Sequence, residues 1–403
     1  MKKLLFALLA SFCFGLVSAQ TITIWNTGAE SDTTILKAAA EIFKQSNPDV
    51  QFDIQPISWQ DAHTKVLSAV VSGSGPDIIT GGLSWGIEFG KQGGMVDLKA
   101  SYPNIVTKVE GLAQSGIYAS VVPPSGEVYG VPFDLTLQVL ISRPDLLKKK
   151  DISETPQTWD ELTAALQKDG NKGLGFGWGN ADWLGYFPFL YQAGGTLYNE
   201  DCSAVTINSA EGLEALNFFS SLYTEYSTSP EPDVDVEGGL ASGEFLVGYQ
   251  GSWVLGLESS RPDLYQQVAF STLPAGPTGK RTSFIGGRVI GVMEASQNKD
   301  VAAEFISSLY TPEAAKAMLD KAAELNQVWI TPVVEYAQQS GLPDKVKNAL
   351  TAQLEDAAGP PSCTGWEESA AVVTRQLQEV ILNGADPQAA LDAAADEMNK
   401  NLN

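Results

Sequence analysis

Between residues 20 and 80 the apolar positions change period several times, from the alternation of a β-strand to the spacing of a helix. The segments TITIW at 21–25 and VQFDI at 50–54 alternate apolar and polar residues, as half-buried strands do. Between them, over 31–45, one helix face carries Ile35, Ala39, Ile42 and Phe43. A second helix over 59–71 and a short buried strand over 77–80 follow. This alternation predicts an α/β fold with a doubly wound parallel sheet, and Ser31 or Asp32 as the first helix cap.

The later pattern predicts further strands and capped helices. Strands are expected at 127–134 and 137–143, and at 283–293, where two glycines break the apolar run. Thr158 forms a capping box with Glu161 at the start of another helix. The segment TPEAAKAML predicts a helix with proline at its first position, and residues 366–400 are mostly helical.

The N-terminus has the pattern of a secretory signal. Lys2 and Lys3 precede an apolar run from Leu4 to Val17, and Val17-Ser18-Ala19 forms a small-x-small cleavage site. We therefore expect residues 1–19 to be removed and the mature chain to leave the cytoplasm. The run is too short for a membrane span, and no second apolar stretch of about 20 residues follows, so no direct membrane insertion is predicted.

Length and charge narrow the class of protein. The chain has 403 residues, 44% of them apolar. Chains beyond about 250–300 residues usually divide into domains, so two lobes are expected. The net charge is −23, or −25 without Lys2 and Lys3. Proteins bind nucleic acids through Lys and Arg side chains that contact the phosphates. The excess of acidic over basic residues therefore argues against a nucleic-acid partner and favours a neutral or cationic ligand.

Cysteine and histidine are scarce. Cys13 leaves with the signal, and in an oxidising compartment the two remaining cysteines, Cys202 and Cys363, are expected to pair. The one histidine, His63, lies in a predicted helix and is read as a partly exposed structural residue. Zinc sites with several histidines are excluded, because the chain has one histidine, and a Ser-His-Asp triad would have to use this residue. Neither a metal nor a cofactor is predicted.

Five tryptophans lie in or beside glycine-rich loops, unlike core tryptophans within periodic apolar runs. Such rings offer flat apolar faces that stack on the C–H face of a sugar or on a cation. Carboxylates that could accept hydroxyl hydrogen bonds occur nearby, and each could equally be a helix cap or a solvated surface group. The tryptophans are Trp25, Trp85, Trp178, Trp183 and Trp253, and the acids are Asp77, Glu88, Asp134 and Asp182.

Three functions are compatible with aromatic residues and acids in loops. The first is a sugar-binding protein without catalysis. The second is a secreted glycoside hydrolase, since two carboxylates and aromatic subsites are what such an enzyme needs, although no acid and nucleophile pair stands out. The third is a binder of a cationic ligand, such as a polyamine or an amino sugar.

A series of motifs in a set order covers nearly the whole chain. After the ITIW strand come SGSGPDII, YGVPFD with LQVLISRPDLLKK, TPQTWDEL, YQAGGTLY, GYQGSWVLG, FIGGRVIGV, TPEAAKAML and NGADPQAALDAAADEMNKNL. Together they resemble the extracellular solute-binding proteins of family 1, the sugar-binding group that includes the maltose-binding protein. The loops differ from the maltodextrin-specific pattern, so maltose itself is not implied.

The resemblance implies a periplasmic-binding-protein-like fold of two doubly wound α/β lobes joined by hinge strands. After the signal at 1–19, the N-terminal lobe is expected from 20–134 plus 284–333, and the C-terminal lobe from 135–283 plus 334–403. It further implies a periplasmic monomer without catalysis. Such a protein is the substrate-binding component of an ABC sugar importer. It holds a neutral mono- or oligosaccharide between its lobes and delivers this carbohydrate ligand to the permease subunits.

The resemblance also suggests the residues that contact the ligand. They lie in the loops after the first and third strands, at the end of VPFD, before YQAGG, in GYQGSW, in FIGGR and at the start of the C-terminal helix. The implied ligand-binding residues are Glu30, Ser84, Trp85, Asp134, Asp182, Trp183, Trp253, Gly286, Gly287, Arg288 and Trp366.

Overall fold

The chain, described from a computed structural model, builds one mixed sheet surrounded by helices. The structure describes residues 20–231, 234–333, 335–336 and 342–402, so the predicted signal at 1–19 lies outside it. The predicted α/β class is confirmed. The strands are β1 (Gln20–Thr27), β2 (Val50–Ile57), β3 (Ile78–Gly82), β4 (Val131–Ser142), β5 (Gly175–Phe176), β6 (Val247–Gly251), β7 (Ala269–Ser271), β8 (Ser283–Val292) and β9 (Ala357–Ala358).

Helices connect these strands and cover the sheet, and two short 3₁₀ helices lie at Ser252–Gly256 and Asn399–Asn401. In chain order the first nine are α1 (Glu30–Lys44), α2 (Trp59–Ser72), α3 (Trp85–Lys91), α4 (Leu98–Ser101), α5 (Pro103–Leu112), α6 (Ser115–Ser120), α7 (Pro144–Lys149), α8 (Trp159–Lys168) and α9 (Trp183–Ala193). Those that follow within the described residues are α10 (Ala210–Thr224), α11 (Val236–Ser242), α12 (Leu257–Ser260), α13 (Pro262–Tyr265), α14 (Lys299–Ser308), α15 (Pro312–Glu324), α16 (Asp344–Leu354), α17 (Trp366–Asn383) and α18 (Pro387–Met398). In the described part of the chain, no helix combines the length and apolarity that crossing a bilayer requires.

The first five elements form the predicted strand–helix–strand–helix–strand unit. β1 pairs in parallel with β2 and with β3, as expected when helices connect the strands. The predicted cap of α1 is wrong, because the chain turns at Gly28, whose φ is +134°, and the helix begins at Glu30. Asp32 therefore lies within the first turn, where its carboxylate accepts a hydrogen bond from the Ala29 N–H at 2.8 Å.

The sheet runs in the order β2-β1-β3-β8-β4-β6-β5, with β7 beside β4 and β9 beside β8. β8 is antiparallel to both β3 and β4, so the sheet is parallel only in part. The two strands predicted at 127–134 and 137–143 are one strand, β4. It continues without a break because residues 131–137 pair with β8 and residues 138–142 pair with β6.

Two glycines lie in the middle of β8 without ending it. Gly287 has a φ of +130°, a backbone conformation that residues other than glycine rarely adopt. A Cβ there would overlap the backbone carbonyl of Asp134 on the neighbouring strand. Glycine therefore allows β4 and β8 to approach closely, and β8 runs on from Ser283 to Val292 instead of breaking as the sequence predicts.

Buried apolar residues form two large cores and two smaller clusters. The first core joins β1, α1, α14 and α15, and includes Ile24, Phe43 and Phe305. The second core joins α8, α9, α10 and α17, and is rich in aromatic rings such as Tyr186 and Phe219. A central cluster around the middle of β4 and β8 includes Leu137 and Ile285. A side cluster packs α2 and α3 against residues of β2, β3 and β8.

The predicted disulfide between Cys202 and Cys363 is confirmed. The two Cα atoms lie 5.6 Å apart, although the cysteines are 161 positions apart in sequence. Cys363 is buried in the second core, only three residues before α17 begins at Trp366. The bond therefore fastens the segment that leads into α17.

Candidate functional site

A cleft of about 620 Å³ opens where the ends of several strands meet the loops that follow them. Strand ends in open α/β sheets are the usual place for ligands, because the connecting loops leave a crevice there. The aromatic and charged side chains along the cleft come from α1, α2, α3, β4, the 178–184 segment, the turn after β6, β8, the 327–330 segment and the start of α17. They are Asp32, Trp59, Trp85, Asp134, Trp178, Trp183, Trp253, Phe284, Arg288, Trp329, Trp366 and Glu367.

Four tryptophans on the side of the second core form a continuous set of edge-to-face contacts. The ring centroids of Trp178 and Trp253 lie 5.7 Å apart, and those of Trp183 and Trp366 lie 5.3 Å apart. Phe284 of β8 connects the two pairs, because its ring contacts both Trp178 and Trp183. Such T-shaped contacts are favourable and hold each ring in one orientation.

A second aromatic pair borders the cleft from the side cluster. Trp59 opens α2 and Trp85 opens α3, and their ring centroids lie 6.0 Å apart. Trp59 is 49% exposed and Trp253 is 45% exposed, whereas most large apolar side chains in the described residues are buried. Exposed indole faces thus lie along the cleft on elements that belong to different cores.

Arg288 is a buried cation at the junction of β4 and β8, only 4% exposed. Its backbone N–H donates to Asp134 Oδ1 at 2.9 Å, and its Nε donates to Asp134 Oδ2 at 2.8 Å. Its Nη2 donates to Asp134 and, at 3.1 Å, to Asp32. Its Nη1 donates to the Thr27 carbonyl at 2.7 Å. Burial alone would lower the pKa of Arg288, but the two carboxylates raise it. The guanidinium therefore stays charged and holds both carboxylates in place.

Glu367 supplies a third carboxylate to the cleft, from the first turn of α17. It accepts a hydrogen bond from the hydroxyl of Ser84, which precedes α3. Burial raises the pKa of Glu367, and the nearby Glu88 adds to this, while the Ser84 hydrogen bond opposes it. The described residues contain no group of three or more His, Cys, Asp or Glu side chains that could hold a metal ion.

Nine of the eleven residues suggested from the sequence line this cleft. Glu30 does not, because α1 begins there and helical spacing turns Asp32 towards the cleft while Glu30 faces solvent beside Lys37. Asp182 does not line the cleft either, because it caps α9 by accepting a hydrogen bond from the Gly185 N–H at 2.9 Å. Burial raises the pKa of this carboxyl group. The nine are Ser84, Trp85, Asp134, Trp183, Trp253, Gly286, Gly287, Arg288 and Trp366.

Other cleft residues are missing from the set that the sequence suggests. Asp32, Trp59 and Glu367 carry no motif that marks them as ligand contacts. Phe284 is the first residue of FIGGRVIGV, and Trp178 stands in the glycine-rich segment GFGWGN, so these two had a usable signal. Three further side chains from the sequence candidates lie elsewhere, and one of them, Glu88, contacts His63. Trp25 on β1 carries the Lys65 ammonium group 4.2 Å from its ring centroid. Asp77 accepts hydrogen bonds from the Thr23 N–H and the Ser296 hydroxyl and is structural.

Comparison with known proteins assigns the family. A model of the family "Bacterial extracellular solute-binding protein" matches residues 26–316, which is more than half of the chain. The chain belongs to this family. A lactose-binding protein of Rhizobium radiobacter is 27% identical to this solute-binding protein over 321 residues, covering 75% of this chain and 74% of the relative. A diacetylchitobiose binding protein of Streptomyces coelicolor is 23% identical, covering 74% and 72% of the two chains.

Solved structures share the fold of this solute-binding protein. An ABC transporter solute-binding protein from Thermotoga lettingae, bound with α-D-tagatose, superposes with a TM-score of 0.79 at 23% identity. The match covers 95% of this chain and 100% of that one. The maltose-bound MalE3 of T. maritima gives a TM-score of 0.77 at 24% identity, covering 95% and 100%. These likenesses confirm the predicted periplasmic-binding-protein-like fold.

Proposed function

We propose that this solute-binding protein binds a neutral mono- or oligosaccharide in the cleft and delivers it, chemically unchanged, to the permease subunits of an ABC importer. Relatives named for lactose and diacetylchitobiose binding support a carbohydrate ligand. Export through a cleaved signal places this monomeric binding protein in the periplasm. No cofactor is required, because capture and release of a sugar break no covalent bond.

One observation carries the proposal. Of the four exposed large apolar side chains among the described residues, two are tryptophans, and both Trp59 and Trp253 line the cleft. Exposing an indole to water costs free energy unless a ligand covers it. A pyranose ring presents an apolar C–H face for such an indole, and its hydroxyls need acceptors such as Asp32 and Glu367.

Closure of two lobes supplies the binding mechanism. The lobes are proposed as 20–134 plus 284–333 and 135–283 plus 334–403, because two separate cores exist and β4 and β8 run between them. A ligand that touches side chains of both lobes binds the closed state better than the open state and so shifts the equilibrium towards closure. The proposed contacts are the nine predicted cleft residues together with Asp32, Trp59, Trp178 and Glu367.

The carboxylates favour binding over hydrolysis. A glycoside hydrolase needs two carboxyl groups, one to protonate the leaving group and one to attack or to activate water. Here both oxygens of Asp134 accept hydrogen bonds from Arg288, and those of Asp32 are bonded to Arg288 and to the Ala29 N–H. Among the described carboxyl groups that line the cleft, only Glu367 is not bonded to Arg288, and a single acid does not make the required pair.

A ligand panel tests the proposal. Thermal unfolding is followed with lactose, diacetylchitobiose, maltotriose, D-tagatose and spermidine, each in excess, and chromogenic glycosides are assayed for cleavage. A bound sugar raises the melting temperature, because it binds the native state and not the unfolded chain. Stabilisation by a sugar without turnover supports the proposal. Glycoside cleavage, or stabilisation by spermidine alone, would instead support one of the two rival functions.

Trp253 provides the sharpest single test of the aromatic wall. We expect Trp253→Ala to weaken binding of the stabilising sugar by about 1–3 kcal/mol, the range for losing a well-placed aromatic contact. Isothermal titration calorimetry measures the change. Trp25→Ala is the matched control, because Trp25 is also partly exposed but does not line the cleft. An unchanged affinity in Trp253→Ala would remove this residue from the site.

A further inference from the structure

The one histidine of the chain lies directly behind the cleft. His63 is on α2, and its Nε2 lies 2.9 Å and 3.0 Å from the two carboxylate oxygens of Glu88 on α3. Its ring lies 5.1 Å from the ring of Trp85, which borders the cleft. His63 itself does not line the cleft and is partly exposed, so it can exchange protons with solvent without touching a bound sugar.

The same place holds a hydrogen bond between elements of different cores. Ser84 precedes α3, which packs in the side cluster, whereas Glu367 belongs to α17, which packs in the second core. Beside this bond the surfaces of α3 and the start of α17 leave only about 10 Å³ of space, lined by Ile87, Cys363 and Trp366 among others. Opening of the cleft by separation of the cores must break this bond and part these surfaces.

Negative charge accumulates where the two elements meet. Glu88 comes from α3, and Glu367 and Glu368 come from α17. Like charges held this close repel each other, and a positive charge on His63 attracts all three carboxylates. The hydrogen bond to Glu88 raises the pKa of His63 against the opposing effect of burial, and the charges of Glu88, Glu367 and Glu368 add to it.

We propose that Ser84 and Glu367 form a latch between the lobes, and that protonation of His63 strengthens it and so favours the closed cleft. The proposal rests on the proposed function, because it describes how the closing motion of the same site responds to pH. Protonated His63 offsets the repulsion between Glu88 on one element and Glu367 and Glu368 on the other. Neutral His63 leaves that repulsion uncompensated, and the latch weakens.

The direction of the pH effect on closure follows from the contacts that His63 keeps in the open and in the closed state. In the open state His63 retains Glu88 on the neighbouring helix but loses Glu367 and Glu368, so its pKa is lower there than in the closed state. The closed state therefore binds the proton more tightly, and closure is favoured below both pKa values and lost as the pH rises through the closed-state value. Burial acts on Glu367 in the same direction, because the closed state favours its protonated form.

A histidine titration by NMR tests the contact. With one histidine in the chain, a single set of ring signals reports its pKa directly. We expect a value above 6.5 in the ligand-free protein and a lower value in Glu367→Gln, which keeps an acceptor for Ser84 but removes the charge. Glu379→Gln is the matched control, because it removes a carboxylate from the far end of the same helix. An equal pKa in the wild type and Glu367→Gln would overturn the proposal.

The distance between the lobes tests the latch itself, without any sugar. Dyes are attached through Val71→Cys on α2 and Leu382→Cys on α17, two exposed positions, and energy transfer is measured from pH 5.5 to 8.5. We expect the ratio of closed to open molecules to fall about fivefold across this range, as for a modest coupling between sites. His63→Gln should remove this dependence near neutral pH, and His63→Lys should stay closed at pH 8.5.

Either of two outcomes in that measurement rejects the latch: a wild-type distance that does not change with pH, or a change that persists in His63→Gln. Circular dichroism establishes that each variant is folded. Since the readout needs no ligand, failure of the latch is distinct from failure of the proposed function, which the sugar panel detects.

Discussion

Replacing Arg288 with methionine is expected to lower the free energy of unfolding by about 3–5 kcal/mol, the cost of leaving a buried carboxylate without its partner. Asp134 is buried, and both of its oxygens accept hydrogen bonds from Arg288. Methionine fills much of the same volume, and the main-chain donor at 288 remains, so the loss reports chiefly the missing guanidinium. The measurement is urea denaturation followed by circular dichroism.

A surface arginine provides the matched control for that measurement. Arg375 pairs with Glu397, and both side chains are about half exposed. Arg375→Met should cost about 0–1 kcal/mol, because water already solvates and screens such a pair. Combining Arg288→Met with Asp134→Asn should restore part of the loss, since no unpaired charge is then buried. A loss below about 1 kcal/mol for Arg288→Met would show that the carboxylates are held by other groups.

Removal of the disulfide is expected to have an effect of similar size. The double variant Cys202→Ser with Cys363→Ser should unfold with a free energy lower by about 2–5 kcal/mol, since the cross-link no longer restricts the unfolded chain. The closed loop is long, with the cysteines 161 positions apart, so the unfolded chain gains much freedom when the bond is absent. Urea denaturation of the wild type with and without a reductant gives an independent value.

The double variant itself controls for side effects of the reductant. It has no disulfide to lose, so adding the reductant should leave its unfolding curve unchanged. Mass spectrometry after alkylation of the unreduced, exported wild type should find no free thiol. Two alkylated cysteines in that sample, or equal stability of the wild type and the double variant, would contradict the prediction.

Local patterns carried much of the fold prediction. The helices α1 and α2 and the strands β1 to β3 follow the predicted segments closely, because amphipathic periodicity reports which face of each element is buried. Thr158 caps α8 and Pro312 begins α15 as predicted, since helix starts are decided by side chains within one turn. The pairing of the two cysteines could also be expected, because removal of the predicted signal leaves two cysteines and so a single internal choice.

Other features depend on partners that are distant in sequence. Glycines at 286 and 287 indicate a break in isolation, yet β8 continues because β4 approaches its backbone closely there. The segment 173–199 is rich in aromatic residues, and neighbouring glycines single out its two tryptophans. The fold leaves Trp178 and Trp183 beside the cleft and buries Tyr186 and Phe189 in the second core. That the second core covers these other rings depends on helices distant in sequence.

The sequence by itself determined the α/β class, the disulfide, the family resemblance and nine of the residues that line the cleft. These depend on local periodicity, on composition and on short motifs. Tertiary structure alone decided that Asp32 and not Glu30 turns to the cleft, that Arg288 is occupied by Asp134 and Asp32, and that Ser84 meets Glu367. Each of these contacts depends on how the cores pack against each other. The periodicity of side chains along the chain does not give the distance between residues that are far apart in sequence.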